Sequence, residues 1–172
     1  MAARLTAVQS DISALAVEAI VNAANEALIM GGGVDGAIRR KAGPQMEIEL
    51  RGIGRCPTGE AVLTRGYALP AKFVVHTVAP IWSRDERSRD DDIRLLSRCY
   101  ENALAVARAN GISEIAFPCL GTGIYGWPAD LAAHIAFESV CESVQTHDGI
   151  AQVIFCCFSR ADLERYNTMV RR

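Results

Sequence analysis

Residues 21–43 read VNAANEALIMGGGVDGAIRRKAG. Glu18 to Ala23 is a short run with β-branched residues, the pattern of a buried strand. Gly33 to Ala42 has the character of a helix. Between the two lie Asn22, Asn25, three successive glycines and a lone carboxylate, Asp35. A plain strand-to-helix turn needs none of that chemistry, so this junction decides how the rest of the chain is read.

Outward from it, strands and helices alternate. Arg4 to Gln9, Ala61 to Arg65, Phe73 to Val78, Glu114 to Pro118 and Ala151 to Phe158 are strand-like, the last apolar enough to be covered on both faces. Pro44 to Ile53 reads as a second helix, with Pro44 suited to its first turn. Trp82 to Asp92, rich in mixed charges, reads as a solvated loop opening into a helix. Ile93 to Ala109 places Ile93, Leu96, Tyr100, Leu104 and Ala107 at helical spacing, and Gly111 ends it. Ala129 to Val144 and Ala161 to Val170 complete the helices. The alternation predicts an α/β sandwich around a mixed sheet. Ligands in such folds lie at the carboxyl ends of strands.

Composition narrows the function classes. A chain of 172 residues, half of them hydrophobic, suits one domain with a substantial core. A net charge of −2 gives no general attraction for nucleic acid or anionic membrane. No stretch is long and apolar enough to span a bilayer, and the N-terminus lacks the order of a signal peptide. Cys56, Cys99, Cys119, Cys141, Cys156 and Cys157 form no CxxC pair and no zinc-spaced set with histidine. These features predict a reduced, soluble, cytoplasmic protein without a metal site.

Gly31, Gly32 and Gly33 precede a helix, whose first N–H groups and dipole suit a phosphate. The pattern is neither a P-loop nor a Rossmann fingerprint, and the glycines alone are also consistent with a tight turn. A second glycine-rich loop, Gly121-Thr122-Gly123-Ile124-Tyr125-Gly126, again joins a strand to a helix. Two such loops facing one cleft suit a diphosphate. Lysine occurs only at Lys41 and Lys72, so backbone donors would carry the binding. Asn22, at the strand edge, reads as a tie between loops; Asn25 is better placed to touch a ligand hydroxyl. Asp35 by itself reads as a carboxylate favoured by the helix dipole. Asp11 is either an Asx-turn residue or an acceptor for a base amino group. Phe158 is either a core edge or a surface on which a purine stacks.

Taken together, SDIS (10–13), AIVNAAN (19–25), GGGVDGAIRRKAG (31–43), CPTGEAVLTRGYALPAKFVVHTVAPIW (56–82), AFPCLGTGIYGWP (116–128) and CCFS (156–159) resemble macrodomains of the MacroD type, close to bacterial O-acetyl-ADP-ribose deacetylases. The resemblance spans nearly the whole chain. It implies a single macrodomain over residues 1–172, with a three-layer α/β/α sandwich and a mixed central sheet.

It also implies roles. ADP-ribose would be the ligand, with Asp11 and the Ile12 N–H at the adenine amino edge and Phe158 against the ring. Gly32, Gly33 and Val34 on one side, with Gly121, Thr122, Gly123, Ile124 and Tyr125 on the other, would wrap the diphosphate. Asn25 would hold the distal ribose, Tyr125 would close over it, and Asp35 would orient a water. That water would hydrolyse an acyl ester, from O-acetyl-ADP-ribose or a mono-ADP-ribosylated protein. No cofactor is required, and nothing calls for more than a monomer. A non-catalytic ADP-ribose reader is the alternative; an RNA-binding role finds no basic stripe with interleaved aromatics.

Two positions depart from the family pattern. Met30 stands where many relatives have a further glycine, which reshapes the cleft rim. Arg39 stands where many have histidine. Four residues after Asp35, it faces that carboxylate on the helix. An arginine there would weaken Asp35 as a base while leaving binding intact. His76, in a strand, is expected to be structural.

Overall fold

The computed structural model describes residues 2–171. Six strands form one sheet: β1 (Arg4–Gln9), β2 (Ala19–Ala23), β3 (Ala61–Arg65), β4 (Phe73–Thr77), β5 (Glu114–Phe117) and β6 (Gln152–Cys157), in the order β1-β6-β5-β2-β4-β3. All neighbours are parallel except β3, which runs antiparallel to β4 at one edge. The sheet is therefore mixed, as expected from the sequence.

Strand side chains alternate between two apolar layers, because successive residues of a strand point to opposite faces. Ala19, Val21, Val75, Ile115, Phe117, Val153, Phe155 and Cys157 enter one layer. Ile20, Val74, Ala116, Ile154 and Cys156 enter the other. Helices α3 (Arg89–Ala109), α4 (Ala129–Thr146) and α5 (Arg160–Val170) close the first layer, through residues such as Leu104, Ala136 and Tyr166. Helices α1 (Gly33–Ala42) and α2 (Pro44–Ile53) close the second, through Ile38, Met46 and Leu50. This is a three-layer α/β/α sandwich. Each fully buried aliphatic or aromatic side chain contributes about 1.5–3 kcal/mol.

Helix boundaries differ from the sequence reading in one instructive place. α3 starts at Arg89 rather than Ile93, one turn inside the charged segment. Asp90, Asp91 and Asp92 occupy that turn, where carboxylates favour the positive end of a helix dipole. A short 3-10 turn, Glu86–Ser88, leads into it. α1 and α2 meet at Gly43, with φ +90° and the Arg39 carbonyl accepting its N–H, so the two helices share a corner.

The parallel strands all point their carboxyl ends the same way. Segments 10–14, 24–33, 118–128 and 158–159 follow β1, β2, β5 and β6, and they meet at that end of the sheet.

Candidate active site

At the floor of this end, Asp35 is buried and heavily bonded. Its Oδ1 accepts from Asn22 Nδ2 (2.6 Å) and Arg39 Nε (3.1 Å), and its Oδ2 accepts from Gly31 N–H (2.6 Å). Oδ1 has two donors and is filled. Oδ2 has one and keeps a free lone pair. A Cβ built on Gly31 would lie 3.5 Å from Asp35 Oδ2 and 3.8 Å from Asn25 Nδ2. Glycine thus leaves a notch beside the one unfilled acceptor position of Asp35.

Arg39, which the helix repeat places one turn after Asp35, is fully buried. Its remaining nitrogens donate to Glu47 Oε1 (2.8 Å) on α2 and to the Leu28 carbonyl (3.0 Å). One guanidinium therefore joins α1, α2 and the loop that follows β2.

Asn22 is not the loop tie that its place at the strand end suggests. It is completely buried, under α1, and its register partner across β2–β4 is His76. Its Nδ2 lies 3.1 Å from His76 Nδ1, and His76 Nε2 lies 2.9 Å from Thr64 Oγ1. Asn22 Oδ1 has no partner among the described residues. Such an orphan costs about 1–3 kcal/mol. Burial, with the Arg39 charge second, drives the His76 pKa down to about 3, so the ring is neutral.

Asn25 folds back on its own loop. Its Nδ2 donates to the Ile29 carbonyl (2.7 Å) and its Oδ1 accepts from Ile29 N–H (3.2 Å). One Nδ2 hydrogen remains for another partner. This side chain braces the loop as well as facing the notch.

The walls offer backbone donors. No side chain among the described residues caps α1. Its first internal bond is Gly36 N–H to Gly32 carbonyl (3.2 Å), so the N–H groups of Gly33, Val34 and Asp35 precede the helical ladder. The 121–126 loop, which follows β5 at the same end of the sheet, is held by its own bonds. Thr122 Oγ1 donates to the Cys119 carbonyl (3.0 Å), Trp127 N–H to the Gly121 carbonyl (3.1 Å), and Trp82 N–H to the Tyr125 carbonyl (2.9 Å). Trp82 and Trp127 pack at 4.5 Å between ring centroids, and Trp127 Nε1 donates to the Pro80 carbonyl (2.8 Å). Gly121 has φ +83°, and a Cβ there would come within 2.6 Å of Trp127 Cδ1, so only glycine fits.

Asp11 caps the 3-10 turn Ile12–Ala14. Its Oδ1 accepts from Ser13 Oγ (2.7 Å) and Ser13 N–H (2.9 Å), which hold its carboxyl below the usual range. The Asx-turn reading is correct, and Oδ2 stays free as an acceptor. Phe158 is 87% exposed and Ile124 98% exposed, so neither is core. Gly32 and Gly33 are exposed; Val34, Thr122 and Tyr125 are half-buried; Gly121 and Ile12 are buried. The expected residues thus gather from four segments at one end of the sheet. The sequence alone does not single out Thr64, marks Asn22 and His76 as structural, and marks Gly31 only as part of a phosphate-binding glycine run. The shared strand parity of Asn22 with Ile20 and of His76 with Val74 was the available signal.

Among the described residues, no group of three or more His, Cys, Asp or Glu side chains is arranged for a metal ion. Among the same residues, no helix is long and apolar enough to cross a membrane. A family model described as "Macro domain" matches residues 21–136. The chain belongs to the macro domain family. This macro domain is 50% identical, over 95% of its length and 92% of the relative's, to a macro domain-containing protein of Ralstonia nicotianae. It is 44% identical to the O-acetyl-ADP-ribose deacetylase of Escherichia fergusonii, over 99% of this chain and 97% of that one. Among solved structures, the Oceanobacillus iheyensis macrodomain with ADP superposes with a TM-score of 0.89 at 37% identity, covering 97% of this chain and 90% of that one.

Proposed function

We propose that this single macro domain, residues 1–172, binds ADP-ribose and hydrolyses acyl esters on its distal ribose. The substrates are O-acetyl-ADP-ribose and the Asp or Glu esters of mono-ADP-ribosylated proteins. It acts as a monomer in a reducing, cytoplasmic setting, in keeping with its unpaired thiols. The similarity to a named deacetylase and to a macrodomain holding ADP supports this reading. The observation that carries it is the free Asp35 Oδ2 lone pair, in a notch shared with Asn25 Nδ2.

The ligand chemistry follows the cleft. Free Asp11 Oδ2 and the Ile12 N–H face the adenine edge, and Phe158 stacks on the ring. The N–H groups of Gly32, Gly33 and Val34 oppose those from Gly121 through Tyr125 across the diphosphate. Asn25 donates to the distal ribose, and Tyr125 covers it.

For the reaction, a water donates to Asp35 Oδ2 and attacks the ester carbonyl carbon. The C–O bond to the ribose oxygen breaks, and that oxygen leaves as the ribose hydroxyl with a proton derived from the water. The products are ADP-ribose and a carboxylic acid. Positioning of this kind supplies on the order of several kcal/mol of barrier reduction. Among the described residues, the cysteines nearest this end of the sheet are not set up as nucleophiles. Burial pushes the Cys156 thiol up to about 11; Cys119 is raised by contact with the Cys157 thiol and by burial. That contact lowers Cys157, but Cys157 is wholly buried on the α3–α4 side of the sheet.

One observation favours the reader alternative: a buried ion pair with Arg39 ties up Asp35 Oδ1, half of the carboxylate. Single-turnover hydrolysis of O-acetyl-ADP-ribose by the wild type, Asn25→Ala and Asp35→Ala decides between them, with calorimetric ADP-ribose binding on the same samples. A hydrolase cleaves as wild type and slows at least about 100-fold in folded, binding-competent variants. A reader binds tightly and leaves the ester intact.

A further inference from the structure

We propose that Asn22, His76 and Thr64 form a directional hydrogen-bond relay that presents Asp35 Oδ2, and not Oδ1, to the reacting water, acting as positioning residues. The inference rests on the hydrolase reading above and adds to it three residues that do not line the cleft.

The direction of the relay follows from counting protons. Thr64 Oγ1 has one hydrogen, and it donates to the Arg65 carbonyl (3.1 Å). Asn22 turns its NH2 to the Asp35 carboxylate and so can only donate to His76 Nδ1; a neutral ring then carries its proton on Nε2, and Thr64 Oγ1, 2.9 Å away with its own hydrogen on the Arg65 carbonyl, accepts it. The ring is neutral, because burial holds its pKa near about 3, so Nδ1 is a bare lone pair. Nδ1 faces Asn22 Nδ2 at 3.1 Å and accepts one amide hydrogen. The second amide hydrogen goes to Asp35 Oδ1 at 2.6 Å.

Each link fixes the next. Turning the Asn22 amide over would set its oxygen against the Nδ1 lone pair and against the carboxylate at once. The amide is thus locked with its NH2 toward Asp35, although this leaves Asn22 Oδ1 buried without a partner among the described residues. A group chosen only to fill space would be apolar and leave no such orphan. With Oδ1 saturated by Asn22 and Arg39, only Oδ2 remains for water.

Sheet geometry makes the relay. Asn22 and His76 are direct register partners, and Thr64 pairs with Val74, two residues from His76 on β4. All three side chains are buried on the α1–α2 face of the sheet. Only Asn22 touches Asp35.

The test uses Thr64, the member farthest from the reaction. Thr64→Val keeps the shape and removes the acceptor; Thr64→Ser restores it. Three readouts are needed: kcat and KM for O-acetyl-ADP-ribose, the ADP-ribose Kd by calorimetry, and the His76 tautomer from ring 15N chemical shifts. The wild type and Thr64→Ser should show the Nε2–H tautomer. Thr64→Val should move to Nδ1–H and lose about 10- to 100-fold in kcat, with Kd within twofold. A Thr64→Val protein with wild-type kcat overturns the relay. So does an Nδ1–H ring in an active wild type, a result that stands even if Thr64→Val fails to fold. A wild type that binds ADP-ribose but never cleaves the ester overturns the hydrolase reading, and the positioning role falls with it.

Discussion

Arg39 Nε donates to Asp35 Oδ1 at 3.1 Å, with both side chains out of water. A buried pair of this kind is held by its further hydrogen bonds, because desolvation offsets much of the attraction. Here the flat guanidinium reaches Glu47 and the Leu28 carbonyl as well. Removing it leaves Asp35 as an unpaired buried charge. Arg39→Ala should destabilise the fold by about 3–5 kcal/mol, and Arg39→Lys by less, since an ammonium keeps the charge but not the fork. Urea unfolding at pH 7 measures both. A loss below 1 kcal/mol for Arg39→Ala would show that water or a neighbouring cation readily takes its place.

Substitution of Phe158 tests binding apart from folding. At 87% exposed it contributes little to the core. Phe158→Ala should change unfolding stability by no more than about 0.5 kcal/mol. Its ADP-ribose affinity should fall by about 5- to 100-fold, the usual range for losing an aromatic under a base. Calorimetry and thermal unfolding on one sample give both numbers, and an unchanged affinity would place the purine elsewhere.

Gly31→Ala should act in the opposite sense to a folding defect. The new Cβ meets Asp35 Oδ2 at 3.5 Å and Asn25 Nδ2 at 3.8 Å, ordinary contact distances that the fold tolerates. The methyl group fills the notch, however. Stability should stay near wild type, ADP-ribose binding should weaken only a few-fold, and ester cleavage should slow by about 100-fold. Steady-state kinetics alongside calorimetry will show the split; parallel losses in both would place the water outside this notch.

His76 ties stability to pH. Its native pKa is about 3, against an ordinary value of 6.5. The unfolded chain therefore takes up a proton below about pH 6.5 that the folded protein refuses. The stability is fully present above that pH and is lost as the pH falls toward 3, by about 1.4 kcal/mol per unit. From pH 6.5 to 4.5 the loss should be about 2–3 kcal/mol. Asp11 and Glu18, whose carboxyls are held low by hydrogen bonds, lose their contribution only further into acid. Urea titrations at pH 7, 5.5 and 4.5 should show this slope, and His76→Gln should flatten it.

Much of this was legible in the chain because it is local. The Asp35–Arg39 contact follows from four-residue spacing on one helix, and the glycine loops announce themselves between strand and helix. The early start of α3 had its own local signal in Asp90, Asp91 and Asp92, which charge mixing obscured. Asn22 and His76 differ. They are 54 positions apart, and only the β2–β4 register sets them side by side. Registers between distant strands are fixed by packing of the whole sheet. Asn25 shows another limit: its turn back onto Ile29 depends on loop backbone geometry, with Leu28 at φ +55°.

Among the described residues, β1 pairs with no strand but β6, Arg4 lying beside Gln152. On a translating ribosome, β1 must wait for β6, on the order of 10 s at ordinary elongation rates. Asp11 and Phe158 follow those same two strands, so these two positions come together only after β6 has been made. Chains stopped short of β6 would carry bare edges on β1 and β5, leaving them to chaperones and proteases.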